Sequence, residues 1–194
     1  MTHDLRPTIA IEGWVALWDS PDASRDVFKA NSLKPTTKPV TTTHPPLNAE
    51  TLVLPMFYNH DIFFPIGYWE KFENRTKGFF GMGKIDVKAF RNAFKRTGCA
   101  DIYLRLVLAK NFSGLSIGFQ TIKAVKTQGL RFIDEAELYE ASLVSRPKQS
   151  LAHITSATPS PLPVSRPAHS NLNAGLNSAQ DSNLNSAQEK CNDN

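Results

Sequence analysis

One short motif in the chain has the form of a nucleophile site. Gly114-Leu-Ser116-Ile-Gly118 fits the pattern Gly-x-Ser-x-Gly, in which small flanking residues let a serine hydroxyl approach a substrate backbone closely. In α/β hydrolases this pattern lies on a turn from a strand into a helix, whereas here a predicted helix precedes it and a predicted strand follows. The motif alone therefore leaves two interpretations open: a catalytic serine, or a serine on a strand between two glycines.

Two further side chains could activate such a serine. His60 closes the segment Phe57-Tyr-Asn-His-Asp61, and Glu140 lies on a predicted strand, where it shares a face with Ser142. An ionised carboxylate among apolar neighbours is costly unless it is paired, and an imidazole is a suitable partner. A serine nucleophile needs an imidazole to accept its proton, and the imidazole needs an acceptor that fixes its tautomer. Ser116, His60 and Glu140 together supply these parts.

Each of these assignments has an alternative in the sequence. A single histidine at the end of an apolar strand is often structural, and Glu140 could be an outward-facing carboxylate. Glu137 is the competing carboxylate on the opposite face of the same predicted strand, and Ser113 is the next candidate for the nucleophile. The other histidines lie at the termini, in a proline-rich loop or at the domain edge: His3, His44, His153 and His169.

The elements that must position these residues are mostly strands. Alternating apolar residues, as in Leu52 to His60, indicate strands, and apolar residues at helical spacing indicate two helices, the first with Asp86 as its N-cap. We therefore predict a mainly β protein with helices (α+β), built as a six- to seven-stranded antiparallel β-barrel that is closed or nearly closed. The predicted strands are 9–18, 52–60, 66–72, 78–85, 115–125, 130–134 and 137–144, and the predicted helices are 86–96 and 101–110.

The apolar residues are unevenly distributed along the 194-residue chain. Residues 155–194 contain no aromatic side chain and carry a repeated Leu-Asn-Ser-Ala-Gln segment, so they cannot bury enough apolar surface to offset their chain entropy. Residues 34–48 hold four prolines and five threonines, which favours a mobile loop over a helix or a central strand. We predict one folded domain, residues 8–153, followed by a disordered low-complexity tail, residues 154–194.

Composition excludes several classes of protein. Two cysteines, at positions 99 and 191, cannot form a disulfide framework, and the polar N-terminus lacks the apolar region of a signal peptide. The longest apolar stretch is far too short to span a membrane. These features favour a soluble intracellular protein. No cysteine or histidine spacing indicates a zinc site, so we expect neither a metal nor an organic cofactor.

Five segments of the chain carry a family resemblance through their sequence, order and spacing: Ile11–Trp18, Leu54–Asp61, Pro65–Trp69, Phe112–Phe119, and Glu135–Val144 with Pro147. They resemble the prohead (procapsid maturation) proteases of tailed bacteriophages. The resemblance covers roughly residues 9–150 and is most specific at Leu-Ser-Ile-Gly-Phe and at Glu-x-Ser-Leu-Val. That family is distantly similar to the herpesvirus assemblins, which fold as a β-barrel ringed by helices. At positions 147 and 148 this chain has Pro-Lys, where the family usually has Pro-Ala.

The resemblance implies a serine endopeptidase that cleaves capsid and scaffold proteins inside an assembling prohead in the host cytoplasm, encoded by a phage or by an integrated prophage. Self-cleavage is a separate expectation: the tail 155–194 is rich in small residues and accessible to a protease, and the alternative is that it is an inert linker. The resemblance assigns Ser116 as nucleophile, His60 as general base and acid, and Glu140 as the residue that orients His60, with oxyanion amides in the loop 145–149. The major capsid protein and the scaffold would be the substrates, a homodimer is expected, and no membrane is involved.

Two other functions stay open at the level of the sequence. The barrel could serve as a capsid-assembly or scaffold component whose catalysis is dispensable. The sequence pI of about 9.1 would also suit a nucleic-acid-binding barrel, but no interleaved basic and aromatic surface stretch supports one. We therefore do not expect a nucleic-acid partner.

Overall fold

The computed structural model describes residues 7–37, 54–95 and 97–160. These residues form a mainly β structure with nine strands and two short helices, as the sequence predicts for the fold class. The strands are β1 Thr8–Leu17, β2 Asp26–Phe28, β3 Leu33–Pro35, β4 Leu54–Tyr58, β5 Asp61–Arg75, β6 Gly78–Asp86, β7 Gly114–Thr127, β8 Leu130–Val144 and β9 Ile154–Pro159, and the helices are α1 Val87–Ala93 and α2 Ala100–Leu108.

The strands form one mixed sheet in the order β2-β8-β4-β5-β6-β1-β9, with β3 and β7 also paired to β8. Strands β2, β3 and β4 run parallel to β8, and the other pairs are antiparallel. The predicted antiparallel barrel of six or seven strands, closed or nearly closed, is therefore not confirmed, because the sheet is mixed and not closed. Within the described residues, the two ends of this path are linked by isolated bridges, Trp18 with Phe28 and Gly114 with His153, so no continuous ladder closes the sheet.

Strand β8 is continuous where the sequence predicts two strands, 130–134 and 137–144. Ile133 is buried, and so are Ala136 and Leu138, so the inward-facing positions change from odd to even numbers between them. The ladder with β7 pairs Lys123 with Glu135 and Ala124 with Ile133, which leaves Asp134 as an extra residue in β8. Such a bulge shifts the period-two pattern by one residue and makes a single strand read as two.

Two segments predicted to lack regular structure contribute short strands. Pro35, in the predicted loop 34–48, lies in β3 opposite Leu138. Proline has no N–H to donate, but the N–H of the next residue, Thr36, donates to Leu138 O at 2.8 Å. Strand β9 pairs with β1 and buries Ile154, so the sheet extends beyond the predicted domain end at residue 153. The remaining parts of the predicted loop and tail, 38–48 and 161–194, lie outside the described residues.

The helices follow directly after β6 and lie close to their predicted positions. Helix α1 begins after Asp86, whose carboxylate accepts the Ala89 N–H at 2.9 Å and so acts as the predicted N-cap. The helices pack Phe90 and Val107, both fully buried, against the sheet. The core therefore lies between the helices and the strands that lead to the candidate site.

Trp69 joins the two halves of the sheet near that site. Its side chain is buried, and its indole N–H donates to the carbonyl oxygen of Ala141 at 2.7 Å. A buried indole N–H needs such a partner, so this bond fixes β8 against β5 at the residue next to Glu140.

Candidate active site

His60 and Glu140 are in direct contact although they lie 80 residues apart in the sequence. The distance from His60 Nδ1 to Glu140 Oε1 is 2.6 Å. The Glu140 side chain is largely buried, whereas that of His60 is 39% exposed. If the carboxylate is ionised, it can only accept, so Nδ1 carries the proton and Nε2 is left as the acceptor. This pairing orients the imidazole with one nitrogen available for chemistry.

The sequence pattern predicts His60 at the end of a strand, 52–60, but β4 ends at Tyr58 and His60 lies in a tight turn. Asn59 and His60 are the two residues between the paired positions Tyr58 and Asp61, and their φ angles are 49° and 62°. Positive φ at both central residues is typical of the turns that close two-residue hairpins. Asn59 is well suited to this conformation, and histidine adopts it more often than most side chains do.

Backbone contacts to the end of β8 hold this turn in place. Asn59 N–H donates to Leu143 O at 3.0 Å, and Asn59 Oδ1 accepts from Ser145 N–H at 3.4 Å. Tyr58 packs against Phe94 with a ring-centroid separation of 4.6 Å, and burial raises the pKa of its phenol above the ordinary value. The turn that carries His60 is thus attached both to β8 and to the helical layer.

Ser116 lies on β7, directly opposite Ser142 of β8 in the antiparallel ladder. Opposite residues of such a pair project to the same face of the sheet, so both hydroxyls lie on the face that carries Glu140. Ser142 is fully buried and its hydroxyl donates to Glu140 Oε2, whereas Ser116 is 6% exposed. Among the described residues, no hydrogen bond joins Ser116 to His60. Catalytic hydrogen bonds are often loose in ligand-free enzymes and tighten when substrate binds.

Each of the two glycines in the serine motif avoids a different steric overlap. Gly118 is paired with Glu140, and a Cβ atom at position 118 would overlap Glu140 Oε1. At position 114 a Cβ atom would lie 2.9 Å from Pro147 Cδ and 2.6 Å from Val144 O. The glycines therefore leave space for the carboxylate that contacts His60 and for the loop that follows β8.

The alternative candidates lie elsewhere or are otherwise engaged. Glu137 accepts hydrogen bonds from Thr36 Oγ1 at 2.6 Å and from the Tyr139 hydroxyl at 2.8 Å. The bond to Glu137 raises the pKa of the Tyr139 phenol. His153 bonds through Nδ1 to the Leu151 carbonyl at 2.6 Å. The three remaining histidines lie outside the described residues. Of the two candidate carboxylates, only Glu140 contacts His60.

The loop 145–149 is held to the start of the chain by Gln149, which sequence reasoning did not single out. Gln149 is buried, and its amide bonds to both the N–H and the carbonyl of Leu17, at 2.7 and 3.0 Å, and to Ser20 O at 2.9 Å. Ser142 was visible in the sequence as a neighbour on the face of Glu140. A glutamine in a loop carries no comparable signal, because its partners are distant in sequence.

A cleft of about 480 Å³ opens beside Ser116, and we call it the Ser116 cleft. Its wall includes Ser116, residues 148–149 and the loop before β2, while Val15, Phe28 and Leu115 supply buried apolar surface. The volume is in the range of ordinary ligand-binding pockets. Ser116 thus lies at a concave surface large enough to receive side chains of a substrate.

The described residues lack both a cluster that could hold a metal ion and a helix that could span a membrane. No group of three or more histidine, cysteine, aspartate or glutamate side chains there is arranged to hold a metal ion. None of the helices there has the length and apolar character needed to cross a membrane.

Comparisons with known proteins gave one family match and several similar solved structures. The sequence model of a family described as caudovirus prohead serine protease matches residues 2–161. No curated protein sequence matches the chain significantly. Among solved structures, a Kaposi's sarcoma-associated herpesvirus protease bound to a hexapeptide phosphonate inhibitor is similar, with 14% identity, a TM-score of 0.43, and coverage of 76% of this chain and 64% of that one. The same protease in complex with a dimer disruptor has 14% identity and a TM-score of 0.41, covering 77% of this chain and 76% of that one.

Proposed function

Because the chain belongs to the caudovirus prohead serine protease family, we propose that Ser116, His60 and Glu140 form the catalytic triad of a capsid-maturation peptidase. The observation that carries this proposal is the 2.6 Å contact between His60 Nδ1 and Glu140 Oε1, on the sheet face shared with Ser116. It joins an imidazole to a carboxylate from a distant part of the chain, and that carboxylate shares its sheet face with the serine of the Gly-x-Ser-x-Gly motif, which supports the proposal.

In this mechanism Ser116 Oγ attacks the scissile carbonyl and His60 Nε2 accepts the hydroxyl proton. His60 then donates that proton to the leaving amine, and a water molecule hydrolyses the acyl-enzyme by the same steps. Glu140 holds the Nδ1–H tautomer and stabilises the imidazolium that forms. Ser142, through its hydrogen bond to Glu140 Oε2, orients the carboxylate.

The oxyanion would be stabilised by backbone N–H groups of the loop that follows β8. Within residues 145–149, the Ser145 N–H is bonded to Asn59 Oδ1, and Pro147 has no N–H. The amides of Arg146, Lys148 and Gln149 are therefore the candidates. The Gln149 side chain supports this assignment because its three hydrogen bonds fix the loop in position.

The substrates we propose are the major capsid protein and the scaffold, cleaved inside the assembling prohead, together with the protease's own chain. Family membership supports the capsid substrates. A homodimer is part of the same proposal. Self-cleavage would fall after β9, in the Ser-, Asn- and Ala-rich residues 161–194, where small side chains are frequent.

The Ser116→Ala variant tests both the nucleophile and the self-cleavage. Co-expression with the neighbouring capsid gene, followed by intact-mass analysis of both proteins, is the measurement. We expect the variant to fold normally and to leave the capsid protein and its own chain uncut, because triad members act as a unit. Cleavage at the wild-type rate by this variant would reject Ser116, and Ser113→Ala would then be the variant to compare.

A non-enzymatic role as a capsid-assembly component is the second candidate. It predicts that proheads assemble with Ser116→Ala as they do with the wild-type protein and that no maturation step is lost. A serine-reactive fluorophosphonate that labels the wild-type protein at Ser116, and fails to label Ser116→Ala, would favour the enzyme.

A further inference from the structure

The walls of the Ser116 cleft are tied together by backbone hydrogen bonds. Ala23 N–H donates to Lys148 O, and Arg131 N–H donates to Arg25 O, both at 2.9 Å. The loop before β2 therefore connects the loop after β8 with the end of the β7–β8 hairpin. This arrangement fixes the side chains on three separate segments around a single cleft.

The cleft carries an excess of positive charge. Arg25, Lys126, Arg131 and Lys148 line it, against only Asp22 and Asp26, which gives a formal charge of +2 from four cations and two carboxylates. Arg25, Lys126 and Lys148 are exposed. Within the described residues, neither Arg25 nor Lys126 forms an ion pair, and Lys148 Nζ donates to the neutral Ser24 hydroxyl at 3.0 Å.

Both carboxylates of the cleft are already occupied. Asp26 is 5% exposed and forms a two-pronged ion pair with Arg131. Asp22 Oδ1 accepts the backbone N–H groups of Ser24 and Asp26 at 2.7 and 2.8 Å. The free hydrogen-bonding and charge capacity of the cleft is therefore cationic, while its floor is apolar.

We propose that the Ser116 cleft selects substrate segments that carry an aspartate or glutamate side chain near the scissile bond. This inference rests on the proposed function, since it assigns the specificity of the same site. An acidic side chain would place its stem against Ile117 and Phe119, which line the cleft and are partly exposed, and its carboxylate among the exposed cations. Ion pairs at the solvated rim of a site act mainly on encounter and substrate binding. The preference for an acidic substrate should therefore appear in KM and weaken as ionic strength rises.

A library of peptides from a digested bacterial proteome provides the test without knowledge of the natural substrate. Cleavage sites are read by mass spectrometry for the wild-type protein, for Ser116→Ala and for the cleft variant Arg25→Glu/Lys126→Glu. The matched control is Lys88→Glu/Lys123→Glu, which makes the same change in charge at exposed positions outside the cleft.

We expect Asp and Glu to be enriched near the cleavage sites of the wild-type protein and of the control, and the cleft variant to lose this enrichment. For a matched pair of acidic and amide peptides, KM should favour the acid by about two- to fivefold in the wild-type protein, with kcat little changed.

Two results would count against the proposals, and they are distinguishable. Ser116-dependent cleavage without acidic enrichment, or with equal enrichment in the cleft variant, overturns the inference and leaves the proposed function standing. Cleavage that never exceeds the Ser116→Ala background overturns the proposed function and the inference with it.

Discussion

Glu140 and Glu137 lie three residues apart on β8, yet they have different partners. Glu140 contacts His60, whereas Glu137 bonds to Thr36 and Tyr139. We expect Glu140→Gln to lower kcat about 10²- to 10⁴-fold, because an amide cannot balance the imidazolium and can hold the wrong tautomer. Glu137→Gln should stay within a few-fold of the wild-type rate. Peptide-cleavage kinetics on both variants test this expectation. A larger loss of kcat in Glu137→Gln than in Glu140→Gln would contradict the assignment.

Ser142 is expected to act as a positioning residue. Its buried hydroxyl donates to Glu140 Oε2, and a hydrogen bond to a charged group contributes about 1.5–3 kcal/mol. Ser142→Ala should therefore lower kcat by roughly ten- to a hundredfold, without the near-complete loss expected for Ser116→Ala. KM should stay within a few-fold of the wild-type value, because the hydroxyl contacts Glu140 and is not expected to contact substrate. An unchanged kcat would leave Ser142 with a packing role only, and Ser150→Ala, at an exposed position, is the control.

At the scale of elements, the Asn59-His60 turn is the part of the site most open to test. Asn59→Gly and Asn59→Ala both remove the side chain that bonds to Ser145 N–H, but only alanine opposes a φ of 49°. We expect Asn59→Ala to be less stable than Asn59→Gly by about 1–2 kcal/mol and to lose more activity, because the strain falls next to His60. Urea unfolding and cleavage rates measure the two effects. Equal stability of the two variants would mean that the turn does not require the left-handed conformation.

The elements that sequence reasoning predicted well are those with an unbroken local pattern. Strand β1 and the Asp86 cap of α1 were predicted from alternation and from capping chemistry, and both are present. The short strands β2 and β3 were missed because three residues carry no period and their pairing with β8 is non-local.

For the site, spacing and family resemblance named the three side chains in advance. How these three side chains come together in space could not be predicted from the sequence in the same way. The turn at His60 depends on positive φ angles, and the position of the loop after β8 depends on the long-range hydrogen bonds of Gln149. Both are tertiary effects that leave no local pattern.

At the scale of the whole molecule, β9 supports both the sheet and the segment that carries the nucleophile. Ile154 is buried and its N–H donates to Ser113 O at 2.8 Å, three residues before Ser116, while Ser160 N–H donates to Thr8 O at 2.8 Å. A chain that ends at residue 153 loses these contacts, whereas one that ends at residue 160 keeps them.

We therefore expect the chain shortened to 153 to be less stable than the chain shortened to 160 by about 3–5 kcal/mol, from the exposure of apolar surface and the loss of net hydrogen bonding. That is a large share of the 5–15 kcal/mol typical of a folded domain. Urea unfolding gives the difference in free energy, and fluorophosphonate labelling of Ser116 reports whether the nucleophile stays in place. In the absence of urea, the folded fraction of the shorter chain should still label more slowly than the longer chain, because Ser113 has lost its partner. Equal stability and equal labelling of the two chains would show that the sheet ends before residue 154 and that β7 holds Ser116 without help from β9.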